Sequence, residues 1–280
     1  MTKADPQNLH FDPINRAHAI AELVLFFEFS PDLREVLPSL HSLKDVLKEK
    51  LPNVEIPQLF QVEFSPKQQS FRQVPGLELS RSLPDGTPAW IVNIAAPSVA
   101  IHCLDYTRWA AVWGEMRGYV GNVFNAIGAA PVSVSSIGLK YVDRFIWRGP
   151  EPDYDGALLF RTESGRLHPR AFKSGSRWHC HTGWFEQGAT GEDILNQLNI
   201  DSGRHILDGA QVIIVSIDHT QILRATKPNQ LAAYGSGSSQ ELEKLVQHFH
   251  ADNKNVLASL LTKTMNTRIN LVAEPETDVQ

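Results

Sequence analysis

Residues 88–147 read PAWIVNIAAPSVAIHCLDYTRWAAVWGEMRGYVGNVFNAIGAAPVSVSSIGLKYVDRFIW. Within them Tyr106, Trp109, Trp113, Met116, Val120, Val123 and Ile127 recur at alternating steps of three and four, which keeps their side chains on one helical face. Val112, Tyr119 and Phe124 widen that face. Asp105 stands where an N-cap carboxylate belongs, and Gly128 with Pro131 marks the end. Burying each such side chain contributes roughly 1.5–3 kcal/mol before entropy is subtracted, so the face needs a large partner. A sheet supplies it. Ala89–Ala95 and Val99–Leu104 read as a hairpin around Ala96-Pro97-Ser98, and Val132–Trp147 as a long strand. There Ile137, Leu139, Tyr141, Phe145 and Trp147 share one parity, as a half-buried strand requires.

Working outward, residues 1–13 are expected to be loosely held and 20–30 to form a strand ending at Ser30-Pro31. A helix is expected from about Ser39 to Lys50, where Pro38 interrupts the leucine pattern that precedes it. Leu59–Ser65 and Leu77–Leu83 read as strands with a polar link, Lys67–Pro75, between them. Past Trp147, the Pro- and Gly-rich Arg148–Tyr154 is the best boundary between halves. Gly165–Phe172 and Arg177–Glu186 look strand-like, Glu192–Leu198 helical, and Ala210–Ile217 a strong strand. A final helix, capped by Ser238 or Ser239, carries leucines to about Leu271, and 273–280 read as disordered. The fold class is therefore α+β: antiparallel sheets covered by long amphipathic helices, in two similar halves, 1–150 and 151–280, packed as one body.

With 280 residues, 42% hydrophobic and 20% charged, the chain can bury a substantial core. A net charge of −5 gives no general reason to bind nucleic acid or an anionic membrane. Only Cys103 and Cys180 occur, which argues against a disulfide scaffold and for a reducing compartment. The absence of an apolar run of about 18 residues, and of an apolar core near Met1, leads to the expectation of a soluble cytoplasmic protein.

Trp90 before a strand pair, Asp105-Tyr106-Thr107-Arg108-Trp109 opening a helix, and the strand Ile137-Gly138-Leu139-Lys140-Tyr141-Val142-Asp143-Arg144 resemble a known group. This is the sporadically distributed prokaryotic family whose members carry an "IGLRYINR"-type strand and a C-terminal "LHxxNKxxFxxLLT"-type helix. Phe249-His250-Ala251-Asp252-Asn253-Lys254-Asn255-Val256-Leu257 through Leu261-Thr262 is similar to the latter, with Phe249 where Leu is usual and Leu257 where Phe is usual. The family carries no settled biochemical activity. Its patchy occurrence in variable genomic islands implies an accessory role such as defence or toxin neutralisation.

Three groups of residues could carry function. His250, Asn253 and Lys254, at i, i+3 and i+4, share a helical face that is either a partner or phosphate contact or simply solvated. Asp143 sits on the apolar parity of its strand, with Lys140 and Arg144 opposite, and must be paired or hydrogen-bonded there. It is either a catalytic or ligand-positioning carboxylate, or else a structural ion pair or a strand-end residue in water. His179-Cys180-His181, with His168 and Asp218-His219, is the densest set of metal-ligand types, and His179 and His181 point to one side of a strand. Against a metal stands the lack of any CxxC or HExxH spacing. Trp147 and Trp178, next to Arg148 and Arg177, are candidate exposed contact or base-stacking residues. No phosphate loop, G-x-S-x-G elbow or kinase set occurs.

The reading that follows is a non-enzymatic accessory or antitoxin-like regulator that binds a protein partner encoded nearby, without a cofactor, with homo-oligomerisation open. The alternatives are a metal-dependent nuclease or other hydrolase built on Asp143 or on His179, His181 and Asp218, and a binder of nucleic acid or a nucleotide signal.

Overall fold

The computed structural model describes residues 9–65, 68–188, 191–227, 229–236 and 239–271. Its strands are β1 (His10–Pro13), β2 (Ile20–Ser30), β3 (Asn53–Glu55), β4 (Gln58–Ser65), β5 (Gln68–Pro75), β6 (Leu77–Ser82), β7 (Pro88–Ala95), β8 (Ser98–Cys103), β9 (Ser133–Arg148), β10 (Trp178–Gln187), β11 (Asp193–Leu207) and β12 (Ala210–Arg224). Its α-helices are α1 (Leu37–Leu40), α2 (Leu43–Val46), α3 (Trp109–Ile127), α4 (Gln240–Leu260) and α5 (Lys263–Arg268).

Antiparallel sheets covered by long helices, in two similar halves, are not what forms. Ten strands make one large antiparallel sheet in the order β10-β11-β12-β9-β2-β8-β7-β6-β3, with β1 also paired to β9, and β4-β5 stand apart as a hairpin. Of the described helices only α3 and α4 exceed six residues. The difference comes from segments whose period-two pattern is weak in composition but clear in burial. Glu192–Leu198, expected to be helical, opens the 15-residue β11, where Ile194, Asn196, Leu198 and Ile200 are buried in alternation. Lys67–Pro75, expected as a polar link, supplies β5, and Gly165–Phe172 is not a strand. The N-terminal segment, expected to be loose, contributes β1 in register with Phe145–Arg148. Residues 1–8 and 272–280, the latter holding the expected disordered tail, lie outside the described residues, as does Ser238.

Contacts divide the chain into two compact units: Met1–Ala21, Lys140–Gln221 and Val246–Gln280 in the first, Glu22–Leu139 and Ile222–Leu245 in the second. Arg148–Tyr154, expected as a boundary, lies inside the first unit. In the second unit α3 buries Val112, Trp113, Met116, Tyr119, Val120, Val123 and Ile127, most of the face that the three-four spacing marks out, while Tyr106 of that series precedes the helix and Trp109 is half-buried. Tyr119 meets Trp90 at 5.5 Å and Phe124 meets Phe27 edge-on at 5.3 Å. Asp105 does not cap it; its N–H bonds Ala89 O at 3.3 Å, and the helix starts four residues later after an extended Arg108. Gly128 closes the helix at φ +60, a conformation that a side chain would disfavour.

Close packing is tightest at Gly138, where a Cβ would lie 2.1 Å from Phe26 Cζ. Gly138→Ala is therefore expected to displace the Phe26 ring and lower stability by about 1–3 kcal/mol, read from the urea midpoint at unchanged slope. An unchanged midpoint would show that the ring turns aside freely.

In the first unit Val256, Leu257, Leu260 and Leu261 pack with Ile213, Val215 and Ile217 of β12, Leu198 and Ile200 of β11, and Phe145 and Trp147 of β9. Ser239 Oγ accepts the Leu242 N–H at 3.2 Å and starts α4. The helix does not run to Leu271. Phe160 forms a bridge with Leu261, the Thr262 N–H goes to Leu159 O, and Thr262 Oγ1 caps α5 at Met265 N. No helix among the described residues is long and apolar enough to cross a membrane.

Candidate functional site: a terminal strand tied to a buried polar network

The sheet ends at β10, which pairs with β11 residue for residue from Trp178↔Ser202 to Gln187↔Asp193. Trp178, Cys180, Thr182 and Trp184 are half-buried, whereas His179, His181, Gly183 and Phe185 are exposed, the last at 67%. In an antiparallel ladder half of a terminal strand's N–H and C=O groups point away from its neighbour. Among the described residues no backbone group bonds to those of β10 except from β11. The ten residues of β10 contain neither Pro nor Lys, two of the usual guards of an edge.

What holds this strand in place is a polar network on its covered side, built by β10, β11, β12 and α4. The Trp184 ring lies parallel to the buried His219 imidazole, 9° between planes and 5.9 Å between centroids. The Arg166 guanidinium sits 4.8 Å from the Trp184 ring centre while its Nε donates to Ser259 Oγ on α4 at 3.0 Å. Glu186 accepts from Trp184 Nε1 at 2.8 Å and from Asn196 Nδ2 at 3.2 Å. His219 Nε2 lies 3.1 Å from Asn196 Oδ1, and its Nδ1 2.9 Å from Asn253 Oδ1. Gln221, at the next position of the same parity, approaches Asp252, which His248 also meets at 3.1 Å.

Protonation in this network follows from burial. Desolvation holds the His219 imidazole neutral, its pKa pushed down to about 4 against the opposing effect of the Asn253 Oδ1 contact. A neutral ring has one nitrogen without hydrogen, so it cannot donate to both amide oxygens. Asn196 is fixed by its Nδ2 bond to Glu186 and presents oxygen, which assigns the hydrogen to Nε2. With the hydrogen on Nε2, Nδ1 is an acceptor, and the Asn253 amide satisfies it only with its N–H2 turned toward the ring. Burial also pushes the Asp252 carboxyl above its usual range, with Glu186 adding to the rise and His248 opposing it.

The residues expected from sequence are only partly gathered here. Asn253 is, but buried on His219 rather than offered to a partner; His250 Nδ1 is 2.7 Å from Tyr141 OH, and Lys254 is half-buried. His250 and Asn253 face the sheet. Trp147 belongs to the hydrophobic core with its Nε1 on Pro150 O, and Trp178 packs edge-on against Phe160, so neither is an exposed platform. Arg144 is exposed. Asp143 is 3% exposed and, contrary to expectation, its Oδ1 has no hydrogen-bond partner; burial pushes its pKa up to about 7. His179 and His181 do share an exposed side, but Asp218 is held by Lys140 Nζ at 2.6 Å. No three His, Cys, Asp or Glu among the described residues are placed to hold a metal ion.

Sequence reasoning passed over Arg166, Glu186 and Asn196, gave Trp184 no role, and placed His219 only among the candidate metal ligands. A signal existed for two of them: Asn196 continues the parity of Ile194 and Leu198, and His219 that of Ile213, Val215 and Ile217. Polar side chains on a core-facing parity must find each other. No protein-family model, curated protein or solved structure matches the chain.

Proposed function

We propose that this chain is a non-enzymatic protein-binding module in which β10 takes up an extended segment of a partner as a further strand. The observation that carries it is a ten-residue terminal strand with neither Pro nor Lys along its outer edge, fixed from behind by the Trp184–His219 and Glu186–Asn196 contacts. A rigid edge binds an added strand without first having to order itself, and main-chain hydrogen bonds supply the affinity. An antitoxin-like or other accessory role is one such docking serves, and two unpaired cysteines suit a reducing cytoplasm. Metal-dependent hydrolysis is disfavoured because Asp218 is occupied by Lys140 while Asp143 is sealed in the interior.

The test places proline singly at His181 and Thr182, one of which aims its N–H outward and the other at β11. Partners recovered with the tagged wild-type chain and identified by mass spectrometry are expected to be lost about ten-fold or more with the outward variant, at an unchanged melting temperature. Undiminished recovery by a folded outward variant sinks the reading.

A further inference from the structure

The segment that leads into β10 has a composition unlike the rest of this acidic chain. From Arg166 to Phe185 there is no Asp or Glu, but there are Arg166, Arg170, Lys173 and Arg177 with His168, His179 and His181. The helical turn Ala171–Lys173 lies against β10 and shares its hydrophobic core, which brings Arg170 and Lys173 close to that strand. The four cations are not equivalent. Arg166 is committed to Trp184 and Ser259, and Arg177 acts on the Glu151 carboxylate, which also holds Arg204 and Ser176. Arg170 and Lys173 are exposed, and among the described residues no ion pair occupies either.

Charge reverses along the strand. Beyond Phe185 come Glu186, Glu192 and Asp193, so an incoming chain meets cations at the Trp178 end and carboxylates at the Gln187 end. Between them the exposed side carries His179, His181 and a Phe185 ring with two-thirds of its surface in water.

We propose that the segment added to β10 is acidic: an extended stretch of a partner protein that alternates carboxylates with apolar side chains, its carboxylates toward Arg170 and Lys173 and an apolar side chain over Phe185. The inference rests on the strand-addition reading and adds the chemistry of the partner to it. An extended polypeptide is favoured over a nucleic acid because the positive charge flanks ten residues of free main-chain edge, which a phosphate backbone leaves unpaired. The cations steer the encounter and set its salt dependence, while the edge and Phe185 fix register.

The experiment uses the full chain and four fluorescent probes in anisotropy titrations. One is a peptide of roughly eight residues alternating Val and Glu, a common strand length. The second has Lys for Glu, the third a central Pro in the acidic sequence, and the fourth is oligothymidylate. The acidic peptide is expected to bind, more weakly as salt rises, with the Lys and Pro peptides at least about ten-fold weaker. The double variant Arg170→Glu, Lys173→Glu is expected to lose about ten-fold for the acidic peptide at an unchanged melting temperature. Equal binding of the Lys peptide overturns the acidic assignment and leaves strand addition standing. Equal binding of the Pro peptide does the reverse, retaining the basic patch and removing the added strand. Oligothymidylate binding tighter than the acidic peptide replaces the proposal with a nucleic-acid surface. No binding by any probe overturns it as well, and a chain that also sediments as a dimer, dissociated by the outward proline variant, assigns the edge to a second copy.

Discussion

Asp143→Asn is expected to raise the free energy of unfolding by about 4 kcal/mol at about pH 8 and to change it little below the unfolded-state pKa of 3.8. Asp143 is 3% exposed, and one of its oxygens has no partner. Burial raises its native pKa to about 7, so between 3.8 and about 7 the folded chain keeps a proton that the unfolded chain has lost. Stability then falls by about 1.4 kcal/mol for each pH unit gained, and some three units give the total. The benefit of the neutral acid is complete below 3.8 and gone above about 7. An Asn of the same shape stays neutral throughout, so its advantage must grow with pH. Urea midpoints at acid and alkaline pH decide the matter; a gain of equal size at both would mean that shape rather than ionisation is responsible.

The same residue shows what the sequence can and cannot state. That Asp143 falls on a core-facing parity is readable from Tyr141, Phe145 and Trp147, and the structure buries it there. Whether a buried acid finds a partner depends on which side chains three-dimensional packing delivers, which no spacing along one strand encodes. The helix of 109–127 was legible because seven apolar positions repeat a helical period without conflict. Glu192–Leu198 does not show its period of two in composition, because Ile194-Leu195 and Asn196-Gln197 stand as adjacent pairs while burial alternates through Ile194, Asn196 and Leu198. Sheet order is less legible still. Hairpin neighbours β6-β7-β8 and β10-β11-β12 follow from short turns, but the placement of β9 between β12 and β2 depends on pairings between segments far apart in sequence. His250, Asn253 and Lys254 were rightly grouped by helical spacing, yet spacing does not say whether such a face meets water or a sheet. Tyr141 and His219 decide that.

His219 gives the second large effect, with the opposite sign. Its native pKa of about 4 lies below the ordinary imidazole value of 6.5, so as pH falls from 6.5 to about 4 the unfolded chain gains a proton that the folded chain refuses. The loss approaches about 3 kcal/mol across that window. In the wild-type chain this loss on acidification runs against the Asp143 contribution, which grows over nearly the same range. The two slopes oppose each other, and the wild type is expected to show little change in stability from about pH 4 to 6.5 on their account. Each single variant should uncover the other slope. Asp143→Asn leaves a stability that climbs with pH by about 1.4 kcal/mol per unit, and His219→Gln leaves one that descends at a similar rate. His219→Gln also tests the network: a Gln amide can meet only part of what Asn196 and Asn253 offer, so faster hydrogen exchange of the Trp178–Gln187 amides is expected alongside the altered slope. Parallel stability profiles for the three proteins would mean that neither group titrates as its burial requires. An altered slope with unchanged exchange in β10 would mean that His219 stabilises the interior without holding the edge on which binding depends.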